Sequence, residues 1–571
     1  MKTWWKEAVG YQIVPQTFCD SNGDGIGDLR GIVQKLDVLQ ELGVDLLWLG
    51  PIFRSPMADD GYDVSDYRSV NPLLGTMEDL QELIRQVHAR GMRIILDLVL
   101  NHTSDQHPWF QKARKDRSAP EHDYYLWQKG RIGAHGEPLP PTNWASFFSD
   151  SAWCYNEATD EYFLKIFSDK MPDLNWSNPA LRQEMKAIAR FWLDQGIDGF
   201  RIDAAAHLAK KRDWQDSPLP PDAQGWVPDW SQFSNLPELF GYLDELKREV
   251  FDQGDWVMIG EVGGGASVQT ALNYVDEQSG ALNMVFTMDH CWANGIHASQ
   301  LSLSHQARID VVALKKTFAH WIEGMSERAW LPVYWLNHDH PRVVSQYGDP
   351  HRYHRESATM LEQTLLLMRG TPFLYNGEEI GMTNDEQAQL EDFHDVWVKN
   401  MMASLRGRVN DAVLLDHFRR TSRDNARSPM QWSDQPYAGF STVPPKRRVN
   451  PNYTRINVQA QRQDPHSIWR HVQRTLALRK DPAWRDLFVY GSFQLVEAEH
   501  PQLFAYCRRD ERREVWVISN FTAQPASIRL PQCSLRCLLA NYPDSDPHPG
   551  DNLLRPYESL AVLIGAKEKQ Q

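Results

Sequence analysis

Eight short apolar runs of strand type recur along this chain with helical segments between them, and this alternation limits the possible folds more than any other feature. The runs are "VGYQIV", "VDLLWLG", "RIILDLVL", "GFRIDA", "VMIGEV", "NMVFTM", "PVYWLNHD" and "TPFLYNGEEIG". The helices between them carry boundary signals. In "TMEDLQELIRQVHARG", Thr76 predicts an N-cap with Asp79 at N3, Leu80, Leu83, Ile84 and Val87 form an apolar stripe at helical spacing, and Gly91 closes the segment. In "NPALRQEMKAIARFWLDQG", Asn178 caps, Pro179 takes the first helical position and Gly196 follows the last turn. Eight buried strands alternating with helices predict an α/β chain built on a (β/α)8 barrel.

Two stretches interrupt the alternation. Residues 104–172, between the third and fourth runs, are rich in Pro, Trp, Asp and Ser and too long for a βα loop, so they predict an inserted domain. Residues 382–440 are polar, helical in patches, and end in "SRDNARSPMQW". Long loops at the C-terminal ends of barrel strands are where such folds build active sites. From 488 the texture changes to short alternating strands, "GSFQLVEAEH", "QLFAYCRR", "EVWVISNF" and "SLAVLIG", which predict an antiparallel β domain. The expected division is a barrel from 1–103 and 173–487, an insert at 104–172 and a β domain at 488–571.

A length of 571 residues calls for more than one core, and 42% hydrophobic residues can build it. The formal charge of -15 argues against a nucleic-acid partner, whose backbone needs basic surface. The runs "KAIARFW" and "PPKRRVNP" read as solvated faces. No window reaches the roughly 18 apolar residues of a membrane span, and "MKTWWKEAVGYQ" has no apolar targeting core. The expectation is a cytoplasmic protein with no membrane contact. Six scattered cysteines without a CxxC pair predict reduced thiols. The 22 Trp and 19 Tyr suit sugar rings, and equally a large core.

"CDSNGDGIGDLRG" looks at first like the calcium loop of an EF-hand. Asp20, Asn22 and Asp24 supply oxygens at alternate positions, Ile26 offers a carbonyl, and Asp28 follows. The bidentate Glu of an EF-hand is replaced by Gly31, so the loop is not one. Clustered oxygens on Gly-rich backbone suit a hard cation, and they also suit a bare surface turn.

The remaining candidates sit where strands end. The fourth run places Arg201 and Asp203 opposite Phe200 and Ile202, the fifth ends in Glu261, the seventh in Asn337, His338 and Asp339, and the third leads to Asn101 and His102. Three carboxylates and two histidines at one barrel mouth repel one another unless chemistry requires them. A carboxylate pair in a shared cleft is the apparatus of glycoside hydrolysis.

The ordered segments "DLVLNH", "MPDLN", "GFRIDAAAH", "GEV" and "NHD" resemble the motifs of the α-amylase superfamily, glycoside hydrolase family 13. "DSNGDGIGDLRGI", "GYDVSDY", "TPFLYNGEEIGMTN" and "SRDNARSPMQW" resemble its α-glucosidase and oligo-1,6-glucosidase branch. The resemblance implies a barrel domain A, an inserted domain B and a β domain C. It implies Asp203 as nucleophile, Glu261 as general acid/base and Asp339 as the carboxylate that holds sugar hydroxyls. Arg201 would keep Asp203 ionised, and His102 and His338 would donate to the sugar. Asp63, paired with Arg423 or Arg427, would close the pocket and make cleavage exo, and Tyr62 and Phe167 would be ring platforms. The Asp20 loop (Asp20, Asn22, Asp24, Ile26, Asp28) would hold a structural Ca2+, with no organic cofactor. In the resembling enzymes a Val after the nucleophile accompanies α-1,6 cleavage and a small residue α-1,4 acceptance; this chain has Ala204.

The implied activity is that of a retaining α-glucosidase acting on short oligosaccharides, with glucose transfer as a side reaction. Oligo-1,6-glucosidase and trehalose-forming transferase activity are the enzymatic alternatives. Met171, His340 and Asn376 depart from the family pattern around the pocket and bear on linkage. Sucrose isomerases carry an Arg-Leu-Asp-Arg-Asp segment where this chain has only "ARIDVV". The non-catalytic transporter heavy chains of this fold need a membrane segment and have lost the carboxylates. Monomer and homodimer both stay open.

Overall fold

Successive side chains of a strand point to opposite faces, so a barrel strand must supply both an inward and an outward set. In the computed structural model, which describes residues 3–133, 135–148, 150–222, 224–263, 265–292 and 309–565, this division runs around the whole sheet. The strands are β1 (Gly10–Ile13), β2 (Leu46–Leu49), β3 (Arg93–Val99), β4 (Gly199–Asp203), β5 (Val257–Glu261), β6 (Met284–Phe286), β7 (Pro332–Tyr334) and β8 (Thr371–Tyr375). Each lies in one of the eight apolar runs. They pair in parallel in the order β6-β5-β4-β3-β2-β1-β8-β7, a barrel closed except at the β6/β7 seam. Trp48, Ile95, Ile259, Phe286, Tyr334 and Phe373 fill the interior. Their strand neighbours, such as Leu47, Ile94, Phe200, Met258 and Leu374, pack outward with the helices. Trp48 stacks on Phe286 at 5.1 Å, and Phe286 meets Phe373 edge-on at 5.2 Å. Gly10 is required there, because a Cβ on it would lie 2.3 Å from the Phe373 ring.

Helices α2 (Met77–Ala89) and α3 (Pro179–Asp194) begin where the sequence signals them, and α1 (Leu29–Leu42) opens at Asp28, the residue expected as a metal ligand. Asp28 caps α1 through Gly31 N–H, Thr76 and Asp79 form a reciprocal capping box on α2, and Asn178 with Pro179 opens α3. Residues 104–172 hold the helix Pro108–Ala113 and an antiparallel sheet of Trp127–Gln128, Glu161–Leu164 and Trp153–Asn156. Their core of Trp144, Trp153 and Leu164 also takes in Phe233, Trp214 and Trp230 from beyond β4. The loop after β4 therefore packs as part of the insert, a contact that lies far off in sequence.

Strands β9 (Ser492–Val496), β10 (Leu503–Arg509), β11 (Glu514–Asn520), β13 (Leu535–Ala540) and β15 (Ser559–Ile564) form an antiparallel sheet, beside the pair β12 (Ala526–Leu530) and β14 (Gly550–Leu554). Residues 566–571 of the expected β domain, and Ala307 and Arg308 of "ARIDVV", lie outside the described residues. Among the described residues no helix is long and apolar enough to cross a membrane.

A buried cation joins this sheet to the barrel, and a second ties a helix to the barrel itself. Arg508 is fully buried and donates to the carbonyls of Leu367, Leu487, Phe488, Gly491 and Ser492. Arg479 donates to those of Leu366, Met368 and Gly370. Two of the basic runs read as solvated faces are not: Lys186 is buried against Glu245 and Glu249, and Arg447 and Arg448 pair with Asp60, Asp424 and Asp385. Acidic partners distant in the chain account for both. Replacing Arg508 by Met roughly keeps its volume and leaves the carbonyls of the buried Leu367, Leu487 and Phe488 without this donor. A loss of at least about 3 kcal/mol is expected, read as a lower urea midpoint; an unchanged midpoint would remove these bonds from the account of how the domains are joined.

Candidate active site

β4 ends with Asp203, and the chain then turns through Ala204 in the left-handed region (φ 48, ψ 34) into a short 3-10 turn, Ala205–His207. A non-glycine residue held there is uncommon and costs energy. The turn directs the Ala204 N–H at the Glu261 carboxylate and brings Ala204 and His207 to the wall of a cavity of about 350 Å3. Glu261, at the end of β5, and Asp339 and His338, beyond β7, line the same cavity with Tyr62, His102 and Phe167.

One guanidinium ties the floor together. Arg201 Nη1 donates to Asp203 and to Asp97, each at 2.7 Å, and Nη2 donates to Glu261. Asp97 is fully enclosed and also accepts from Trp48 Nε1 at 3.0 Å and Tyr62 OH at 3.3 Å. Three carboxylates around one cation carry excess negative charge. Burial foremost, then mutual repulsion, raises the pKa of Asp203 and Glu261 against the pull of Arg201. Both shifts favour the protonated carboxyl over the carboxylate. The expected partnership of Arg201 with Asp203 is present, and Glu261 shares it.

Asp339 is in the opposite state. Burial would raise its pKa, but His338, Arg423 and Arg427 hold it well below the usual carboxylate range. Arg423 reaches Asp339 at 2.8 Å and Asp59 at 3.1 Å and also bonds Asp395. Arg427 reaches Asp339 at 2.9 Å, bonds Asp60 and donates through Nε to the His338 carbonyl at 2.9 Å. Burial holds the imidazoles of His102 and His338 neutral, with pKa values lowered to about 3.

The expected pairing of Asp63 with Arg423 or Arg427 is corrected by this arrangement. Asp63 is fully buried and accepts from Ser55 Oγ at 2.9 Å and from the N–H groups of Ala58 and Asp59 at 3.0 and 3.1 Å. It braces the turn that presents Asp59 and Asp60, and those two meet the arginines. Asp59 faces the cavity, and Asp63 does not line it. The choice between neighbouring aspartates depends on which way a tight turn points each one.

Phe147, Phe148, Met288, His207 and Trp397 also line the cavity without having been singled out. Asp97 and Asp395 were missed as well. Asp97 had a signal: a lone carboxylate inside the apolar run "RIILDLVL" must find a buried cation. Met171 and His340 do line the cavity, while Asn376 is buried behind β1, accepting from Val14 N–H.

In the Asp20 loop, Asp20 accepts from the N–H groups of Asn22, Gly23 and Gly25 and from Ser441. Asp28 accepts from Ser21 and caps α1. Asn22 and Asp24 accept from Asp24 and Ile26 N–H. These donors offset the repulsion that made an ion attractive, and none of the five residues lines the cavity around Asp203 and Glu261. Among the described residues no group of three or more His, Cys, Asp or Glu is gathered to hold a metal.

The profile described as "Alpha amylase, catalytic domain" matches residues 12–487. An oligo-1,6-glucosidase of Bacillus cereus is 41% identical over 571 residues, covering 99% of this chain and 100% of the relative. An α-glucosidase of Pediococcus pentosaceus is 39% identical, covering 98% of this chain and 99% of the relative. The trehalose-6-phosphate hydrolase of Bacillus licheniformis superposes with a TM-score of 0.92 at 34% identity, covering 99% of this chain and 100% of that one.

The corrected role of Asp63 separates stability from binding. Asp63→Asn loses charge-assisted bonds to its turn and is expected to cost about 1–3 kcal/mol, with KM within about threefold of wild type once folded. Asp59→Asn is expected to raise KM more than Asp63→Asn does and to lower the melting temperature less. Melting curves and steady-state kinetics on both variants check this, and the reverse pattern would restore Asp63 to the pocket.

Proposed function

Because this chain belongs to the α-amylase family of glycoside hydrolases, we propose that it is a retaining, exo-acting α-glucosidase that releases glucose from the non-reducing end of short α-glucosides. The supporting observation is the pair Asp203 and Glu261 on one guanidinium, facing an end wall made by Asp59, Asp339 and Arg423. A single guanidinium bridges two carboxylates only when they stand close. Retaining enzymes hold the pair about 5–5.5 Å apart, without the gap an inverting enzyme needs for water. In this reading the end wall closes the cavity beyond one terminal sugar.

In this reading Glu261 carries a proton and gives it to the leaving oxygen as Asp203 attacks the anomeric carbon. A C–O bond to the aglycone breaks and a glycosyl ester to Asp203 forms. With the charge on Asp203 removed, Glu261 becomes an ordinary carboxylate base, takes a proton from water, and the ester is hydrolysed with net retention. Asp339, kept ionised by its two arginines, accepts from the sugar hydroxyls, and His102 and His338 donate to them. An alcohol in place of that water gives transfer, so glucose transfer belongs to the same proposal.

Oligo-1,6-glucosidase activity is the second reading, favoured by the name of the Bacillus cereus relative. Ala204 bears on the choice, since it lines the cavity beside the nucleophile. A branched side chain crowds an aglycone leaving through O4 and leaves the flexible arm of an O6 linkage more room. Two methyl groups are worth about 1–3 kcal/mol, or roughly 10- to 200-fold in relative specificity. Maltose is expected to be cleaved at least as well as isomaltose, with α-glucose appearing first. Ala204→Val is expected to shift the ratio of kcat/KM values toward isomaltose. The left-handed backbone makes Val costly there, and the ratio cancels a uniform loss. Strong wild-type preference for isomaltose, or an unmoved ratio, would reject Ala204 as the determinant; no glucose from either sugar would reject the activity itself.

A calcium ion bracing the Asp20 loop is also proposed, on the ordered oxygens of Asp20, Asn22, Asp24, Ile26 and Asp28. An ion that binds only the native state raises its stability. Chelator is expected to lower the melting temperature and added calcium to restore it, with little change in rate before unfolding. An unchanged melting point with no ion recovered by elemental analysis would favour the bare turn.

A further inference from the structure

Gln12 is the polar residue of β1, 2% exposed and turned to the barrel interior. No part of the chemistry above uses it. Its Nε2 lies 2.8 Å from His338 Nδ1. The other ring nitrogen, His338 Nε2, lies 2.7 Å from Tyr62 OH and 3.2 Å from Asp339 Oδ2. We propose that Gln12 is a positioning residue that holds His338 as the neutral Nε2–H tautomer, with its one donor facing the glucose pocket and Asp339.

The argument runs from acceptor to donor. Asp339 is bonded by two arginines and acts only as an acceptor, so a bare Nε2 lone pair against it would be repelled. The proton therefore belongs on Nε2. In the free protein Tyr62 OH accepts from that N–H and passes its own hydrogen to Asp97 at 3.3 Å, which is also an acceptor; a sugar hydroxyl in the pocket would share the same N–H. With Nε2 protonated, a neutral ring has its lone pair on Nδ1, and only a donor can satisfy it there. Gln12 supplies one through its amide Nε2, and a Glu at that position would not. Burial disfavours a positive charge on the ring, and Arg427, Arg201 and Arg423 oppose it against the pull of Asp339, so the neutral form is the one to be held. The ring is fixed in space as well, stacked on Tyr62 at 5.2 Å and met edge-on by Trp48 at 6.3 Å. The order Gln12, His338, Tyr62, Asp97, Arg201 then runs from the first strand to the catalytic pair, each donor direction set by a carboxylate.

This inference rests on the glucosidase reading only for the use of the donor; the tautomer is a property of the free protein. The test is a spectrum of protein labelled with 15N at histidine, with His338 assigned by its loss in His338→Gln. For wild type, Nε2 is expected to be protonated and Nδ1 not. In Gln12→Glu the new carboxylate should draw a proton onto Nδ1. On any glucoside that wild type cleaves, Gln12→Leu should lower kcat/KM roughly 10- to 100-fold, with inhibition by glucose weakened in parallel. A wild-type Nδ1 that is protonated, a Gln12→Glu spectrum like wild type, or a folded Gln12→Leu within twofold of wild-type kcat/KM would overturn the proposal. If Gln12→Leu fails to fold, the wild-type and Gln12→Glu spectra still decide. Failure of the glucosidase reading would appear separately, as absence of turnover by wild type.

Discussion

The Arg201 guanidinium, fully buried and shared by Asp97, Asp203 and Glu261, is the interaction on which the rest of the site depends. Removing such a cation would leave three carboxylates in a low-dielectric pocket, a state that proteins avoid by taking up protons. Keeping it there allows the two cavity-facing carboxylates to stand close to one cation, with the pKa of each raised by burial and by neighbouring carboxylates. Asp97, placed behind, sets the height of the guanidinium and is itself held by Trp48 and Tyr62. The barrel supplies these contacts because β2, β3, β4 and β5 are adjacent in the sheet, so inward positions of neighbouring strands meet at one level.

A second set of charges, built from loops, closes the pocket. Arg423 and Arg427 come from the segment beyond β8, Asp59 and Asp60 from the loop after β2, and Asp339 from beyond β7. Each loop is held to the others by ion pairs that are largely shielded from water, where they are stronger than at the surface. The two clusters shift neighbouring carboxylates in opposite directions. Asp339, with two arginines beside it, is held ionised; Asp203 and Glu261, which share one guanidinium with Asp97, have their pKa raised. Opposed environments of this kind are how a carboxylate acid and a carboxylate anchor coexist within one cavity.

Much of this was legible in the chain itself. The eight strands, the capping of α2 by Thr76 and Asp79 and of α3 by Asn178, and the strand-end positions of Asp203 and Glu261 all follow from period and local chemistry, whereas Asp339 lies five residues past the end of β7. These features are short-range: a strand alternates, a cap bonds three residues away, and a strand end points one way. Asp97 announced itself as a charge in an apolar run. The aromatic wall of Phe147, Phe148 and Trp397 had no such announcement, since aromatic residues are frequent throughout this sequence and only packing separates core from cavity.

What the sequence by itself determined is the alternation of elements and the kind of residue at each strand end, because both are written in neighbours within a few positions. Only the tertiary structure decided which aspartate of "DDGYD" meets the arginines, that the loop after β4 packs with the insert, that "PPKRRVNP" carries paired rather than solvated charges, and which nitrogen of His338 faces the pocket. Each of those depends on where a turn aims a side chain and on what lies opposite it hundreds of residues away. Burial then gives that orientation its energetic weight, since a charge or a lone pair without water must be met by a partner from wherever the fold brings one.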